Sequence, residues 1–228
     1  MPRLLTRYFA QLEEVKRLSG QYRKGDLPAR LLAVSKTKPA SDIYALYRAG
    51  QRDFGENYLQ EAVEKQKKLA HLAINWHFIG PIQSNKTREI ASRFQWVHSL
   101  DRLKIAQRLH QQRPDTLPPL NICVQVNIDE ELTKSGFSLE NLTKVIEPLM
   151  ALEKLRIRGL MAIPKATSGL VAQRESFSRL NQAKKQLNAQ FGLDMDTLSM
   201  GMSGDLEAAI AEGSTMVRIG TAIFGSRD

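Results

Sequence analysis

Cysteine is nearly missing from this chain: Cys123 is the only one among 228 residues, so no internal disulfide can brace the fold. It sits in the apolar run "PLNICVQVNI", which assigns it to a small buried hydrophobe and suits a reducing compartment. Long apolar runs are missing too. No stretch reaches the ~18 consecutive apolar residues from which a membrane-spanning helix is built. The N-terminal "MPRLLTRYFAQLEEVKRLSG" has neither an apolar h-region nor a small-residue cleavage site, and reads as an amphipathic helix instead of a signal peptide. Aromatic residues make up only 7% of the chain, and none interleave with a basic stripe as single-strand binders require. Acidic residues are outnumbered 24 to 33, giving a net charge of +9. The densest basic run, "EKQKK", falls on a solvated helix face, and other cations scatter among acids, as in "RESFSRLNQAKK". Nucleic acid is therefore not expected as a partner, whereas a positive field equally attracts a small phosphorylated ligand.

What the chain does have is a core. At 42% apolar residues it needs no metal or disulfide staple. Strand-like runs at 30–35, 52–56, 75–80, 96–100, 121–128, 156–163, 197–201 and 216–224 alternate with helical patterns. Helices are expected in "SDIYALYRAG", "ENYLQEAVEKQKKLA", "DRLKIAQRLHQQ", "SLENLTKVIEPLMALE", "LVAQRESFSRLNQAKKQLNAQF" and "DLEAAIAEG". Ser41 or Asp42, Asp101, Ser138 and Asp205 occupy N-cap positions, and Gly50, Gly192 and Gly213 follow helices. Eight strand–helix steps predict an α/β fold: a single TIM-type (β/α)8 barrel spanning residues 1–228, with an extra N-terminal helix over 1–20. An open doubly wound sheet is the rival, but no G-x-G-x-x-G follows the first strand.

In such a barrel the chemistry lies where strands meet the following helices. The first strand, "LLAVS", runs into Lys36, an expensive ending because an ammonium resists desolvation. The second delivers Glu56 and Asn57, the third His77. The seventh runs into "SMGMSGD", where small residues and a hydroxyl open a helix and suit an anion, although a plain Ser/Asp cap explains them as well. "RIGT" adds another glycine and hydroxyl after the eighth, and phosphate in barrels often sits between these two loops. Strand one neighbours strand eight in a closed barrel, so Lys36 shares that mouth as a surface residue, an anion clamp or an imine-forming nucleophile. Lysine and cradle together fit pyridoxal phosphate or a generic phosphosugar.

"AVSKTKP", "FGENYLQE", "WHFIGPIQSNK", "KSGF", "RGLMAIP" and "SMGMSGDLEAAIAEGSTMVRIGTAIFG" together resemble the pyridoxal phosphate homeostasis protein family, whose fold is similar to the barrel of alanine racemase, a fold type III cofactor protein. The resemblance runs from Leu31 to the C-terminus. It implies that Lys36 holds pyridoxal 5'-phosphate as a Schiff base. It also implies that Ser203, Gly204, Gly220 and Thr221 hold the phosphate, that Asn57 approaches the ring, that Met200 lines the pocket and that Arg218 faces the pyridine nitrogen. Lys134 in "KSGF" could serve as a secondary lysine that accepts or relays the cofactor. Each residue has a plainer reading: Asn57 as a helix cap, Met200 as core, Arg218 paired with Glu56, His77 as a satisfied barrel histidine, Lys134 as a surface lysine and "IQSNK" as a capping turn. Arginine at the ring nitrogen opposes its protonation and weakens the electron sink. The chain ends at Asp228, directly after strand eight, so the β-domain that supplies the second base in alanine racemase is not expected. The implied function is a cytoplasmic, monomeric carrier with no catalytic residues, passing the cofactor to apo-forms of dependent enzymes; a weak amino-acid racemase is the alternative.

Overall fold

A computed structural model describes residues 2–131 and 133–226. Eight parallel strands close into a barrel in sequence order: β1 (Arg30–Val34), β2 (Asp53–Glu56), β3 (Asn75–Phe78), β4 (Trp96–Leu100), β5 (Leu120–Val126), β6 (Leu155–Ala162), β7 (Thr197–Ser199) and β8 (Met216–Ile219). The expected barrel is therefore the observed one. Closure rests on β1 and β8, which pair from Arg30↔Met216 to Ala33↔Ile219. The strands are covered on both faces, by the crossover helices on one and the barrel interior on the other, so β4 is buried along its whole length.

The helices are α1 (Pro2–Tyr22), α2 (Ala40–Arg48), α3 (Leu59–Lys68), α4 (Thr87–Arg93), α5 (Leu103–Gln112), α6 (Leu142–Met150), α7 (Leu170–Phe191), α8 (Leu206–Ala211) and α9 (Thr221–Phe224). In α1, Leu4, Tyr8, Val15 and Leu18 recur at helical spacing and are all buried, so the N-terminal helix packs on the barrel as expected. Polar ties fix its position: Tyr22 donates to Glu207 of α8 at 2.7 Å, and Tyr8 donates to Gln51 at 3.2 Å. No described helix is long and apolar enough to cross a membrane.

The structure corrects three local expectations. The final strand, expected over 216–224, stops at Ile219, and Thr221–Phe224 forms α9, with Ile223 and Phe224 buried. Period alone does not separate a short apolar strand from a buried helical turn. Neither Ser41 nor Asp42 caps α2, whose N-cap is Pro39, and α5 starts from Arg102 instead of Asp101. Asp205 does precede α8, and its carboxylate accepts from the Met202 N–H at 2.6 Å. The connector "RPDTLPP" holds an unexpected buried cation: Arg113 donates to the carbonyls of Ala91 at 2.5 Å and Phe94 at 2.8 Å, and so staples α4 to the loop before β5.

Candidate functional site

Lys36 follows β1 at the C-terminal rim of the barrel and is half-buried. The backbone on either side of it is clamped. Ser35, fully buried, donates from its hydroxyl to Glu56 at 2.6 Å, and Lys65 of α3 donates to both Glu56 (2.8 Å) and the Ser35 carbonyl (2.7 Å). Thr37 takes a left-handed turn at φ 63° and donates its N–H to Glu61 at 2.6 Å. That conformation is costly for a β-branched residue and persists only where its surroundings hold it. Glu56 is therefore committed to Lys65 and Ser35, away from Arg218. Burial raises its carboxyl pKa, while Lys65 and Ser35 pull it back.

Gly220 stands beside Val34, two residues before Lys36, across the β1–β8 seam. A Cβ there would lie 3.3 Å from the Val34 carbonyl, a tight contact that glycine avoids. Thr221, exposed, follows it and opens α9. Ser203 and Gly204 form an exposed turn ahead of α8, and β7 pairs with β8, so the two loops are neighbours on the rim that bears Lys36. Asn57 is half-buried after β2 and lines a cavity of about 320 Å³ with Gln125, Met161 and Lys134. It does not cap α3, whose N-cap is Tyr58. Met200 is fully buried and belongs to the main apolar core. Lys134 pairs with Glu131 at 2.5 Å and reaches the Ile163 carbonyl at 3.3 Å. In "IQSNK", Gln83 starts a short 3-10 turn over Ser84–Lys86 without a side-chain cap bond.

Arg218 of β8 is 5% exposed. Its guanidinium donates to the Ser199 carbonyl (2.6 Å), the Ser199 hydroxyl (2.9 Å) and the Ala162 carbonyl (3.1 Å). Burial brings its pKa down to about 10, against the field of Asp205, and it stays protonated at neutral pH. It forms no ion pair among the described residues. Three hydrogen bonds leave donors over on a five-donor group.

A chain of side chains that local sequence spacing does not reveal begins at this arginine. The Ser199 hydroxyl lies 2.7 Å from His98 Nδ1, His98 Nε2 lies 2.9 Å from His77 Nδ1, and His77 Nε2 lies 3.1 Å from Asp53 Oδ1. Arginine only donates and an ionised carboxylate only accepts, so every proton between them is assigned: Ser199 donates to His98, His98 to His77, and His77 to Asp53. Burial lowers the His98 pKa well below its ordinary value, helped by His77 and Arg218. Burial also lowers that of His77, which Asp53 restores only in part. The Asp53 carboxyl, which burial alone would raise, is held below its ordinary value by His77 and Asn75. His77 is thus a satisfied barrel histidine, as its plain reading has it. The available signal was "NWHF" followed by "WVHS", which puts a histidine inside the barrel from each of two adjacent strands.

This neutral pair makes stability pH-dependent. Below about pH 6.5 the unfolded chain binds histidine protons that the folded chain refuses. The stability present above that pH is lost as pH falls toward the depressed folded values, by up to about 1.4 kcal/mol per pH unit for each histidine. His98→Gln is expected to flatten the fall in urea midpoint between about pH 7.5 and about pH 5.5; an unchanged slope would mean that His98 is already charged.

The model of the family described as "Alanine racemase, N-terminal domain" matches residues 10–228. A pyridoxal phosphate homeostasis protein of Pseudomonas aeruginosa is 63% identical over 198 residues, covering 87% of this chain and 84% of that one. The structure of PipY of Synechococcus elongatus with PLP bound superposes with a TM-score of 0.81 at 36% identity, covering 92% of this chain and 100% of that one. An alanine racemase of Clostridium difficile in complex with cycloserine shares the fold, with a TM-score of 0.78 at 14% identity, over 100% of this chain and 60% of that one.

Proposed function

The chain belongs to the pyridoxal phosphate homeostasis protein family, and from that premise we propose that it binds pyridoxal 5'-phosphate at the Lys36 rim and serves the cofactor's homeostasis and delivery in the cytoplasm, with little turnover. One observation carries the reading: a half-buried lysine, pinned by its neighbours, shares the rim with two small-residue loops and a buried arginine that has donors over. When bound, the cofactor supplies an aldehyde open to amines, an electron-withdrawing ring and a phosphate. Lys36 holds that aldehyde as a reversible lysine Schiff base. Ser203, Gly204, Gly220 and Thr221 take the phosphate, with Gly220 allowing close approach. Asn57 borders the ring, and Met200 closes the wall behind it.

Arg218 points toward storage over turnover. The guanidinium does not surrender its proton near pH 7 and disfavours a second positive charge beside it, so an arginine at the ring nitrogen keeps that nitrogen unprotonated and the electron sink weak. Ser199, His98 and His77 form a fixed string of neutral donors behind it that ends on the Asp53 carboxylate, and no mobile proton is offered there. The protein acts as a monomer that passes its cofactor to apo-forms of dependent enzymes.

Borohydride reduction of the loaded protein, followed by peptide mapping, is expected to label Lys36, while incubation with L-alanine yields negligible D-alanine. Labelling at Lys134 alone would refute the site, and rapid racemisation would replace the carrier with a racemase.

A further inference from the structure

At the end of the barrel opposite Lys36, a cavity of about 800 Å³ opens where the connection from α1 to β1 crosses the starts of β6, β7 and β8. Its wall holds five cations against two carboxylates, a surplus of three. The balance is poorer than that count suggests. Arg158 is fully engaged by Asp196, with Nε donating at 3.0 Å, and by Asn121 at 3.0 Å. Arg23 is fastened to the Gly213 and Ser214 carbonyls, both at 2.9 Å, and its acidic neighbour Asp26 is 3.9 Å away. Arg30 lies over the Trp96 ring at 5.5 Å from its centroid, which Arg158 shares at 4.8 Å. Among the described residues, neither Arg30 nor Lys184 nor Lys185 makes an ion pair. Lys184 of α7 is half-buried as well, and that burial lowers its pKa, which the more distant Asp196 restores only in part while Arg23 and Lys185 depress it further.

An ammonium that has lost part of its hydration without a carboxylate in contact costs free energy. The N-terminal face of a barrel ordinarily serves stability, which a surplus of clustered cations opposes. An anion from solution resolves both costs. The volume matches a small-molecule site, and guanidinium forks beside ammonium groups suit phosphate oxygens. We propose that this cavity is a second ligand site, built for a small molecule carrying a dianionic phosphate ester, with Lys184, Lys185, Arg23 and Arg30 as its binding groups. The site lies across the barrel from the Lys36 rim and stands whether or not that rim takes pyridoxal phosphate.

The test is calorimetric titration with glycerol 3-phosphate at low salt, on protein whose rim has been filled with pyridoxal phosphate, fixed by borohydride reduction and freed of excess cofactor. One saturable anion per chain is expected. Lys184→Gln should weaken it about tenfold or more, the loss of one charged hydrogen bond. Lys67→Gln removes the same charge from an exposed position on α3 and should leave binding within about twofold. Equal losses in the two variants would reduce the effect to the general positive field and overturn the site. Absence of saturation at millimolar ligand, or loss of glycerol 3-phosphate binding once the rim alone is covalently filled, would overturn it too. Failure of the rim to bind pyridoxal phosphate, with the anion still bound and still sensitive to Lys184, would sink the carrier reading alone.

Discussion

Lys36→Ala is expected to yield a folded protein that no longer takes up the colour of lysine-bound pyridoxal phosphate and that borohydride no longer labels. The loss should be complete, because covalent attachment rests on one amine. The fold should survive because the Lys36 segment is held by its neighbours: Ser35 through Glu56 and Lys65, and Thr37 through Glu61. Truncating a half-buried rim side chain should therefore cost no more than about 1 kcal/mol, a shift of a few degrees in midpoint for a domain of this size. Absorption spectra and a thermal scan, recorded on one preparation, separate the two effects. Colour retained in Lys36→Ala would place the attachment elsewhere, with Lys134 the first candidate. A collapsed fold would show that Lys36 is a structural lysine. The phosphate loops do not depend on the amine, so weak non-covalent retention of the cofactor is the expected residue of affinity.

Gly159→Ala is expected to be the most disruptive conservative change in the barrel. Gly159 of β6 pairs with Thr197 of β7, and a Cβ on it would fall 1.7 Å from the Thr197 carbonyl oxygen and 2.6 Å from its carbon. Backbone is the obstacle, so no side chain can rotate away. The two strands must part, at a cost of about 3 kcal/mol or more. That corresponds to a fall of about 6–12 °C in thermal midpoint. β7 has only three residues, and its last is Ser199, which holds Arg218, so displacement at Thr197 should also disturb the site. Gly20→Ala supplies the contrast: it is helical, a Cβ there meets nothing within 4 Å, and it should gain about 0.5–1 kcal/mol. Equal midpoints for Gly159→Ala and wild type would mean that β6 and β7 lie farther apart than described.

Legibility in the sequence followed the range of the interactions involved. The helix read over 170–191 is α7 to the residue, and the strand read over 96–100 is β4, because periodicity and capping act within a few residues. Strand ends were read too long at 75–80, 197–201 and 216–224, where hydrophobic character continues past the last regular strand residue. Lys36 stood out because an ammonium at the end of a buried strand is a local anomaly. The alternative pairing of Arg218 with Glu56 fails: a carboxylate at a strand end does not reveal which side of the strand it faces, and here it faces Lys65 of α3.

By itself the sequence determined the alternation of strands and helices, hence a barrel, and the lysine that one strand presents. Only the tertiary structure decided how far-apart residues meet. Asp53, His77, His98, Ser199 and Arg218 come from five strands spread over most of the chain, and join because β8 closes on β1 and the barrel interior admits one ordering of donors and acceptors. The same closure gathers the unpaired cations at the opposite end. Charge and hydrogen-bond direction act through space, and sequence spacing does not encode that distance until the ring of strands is shut.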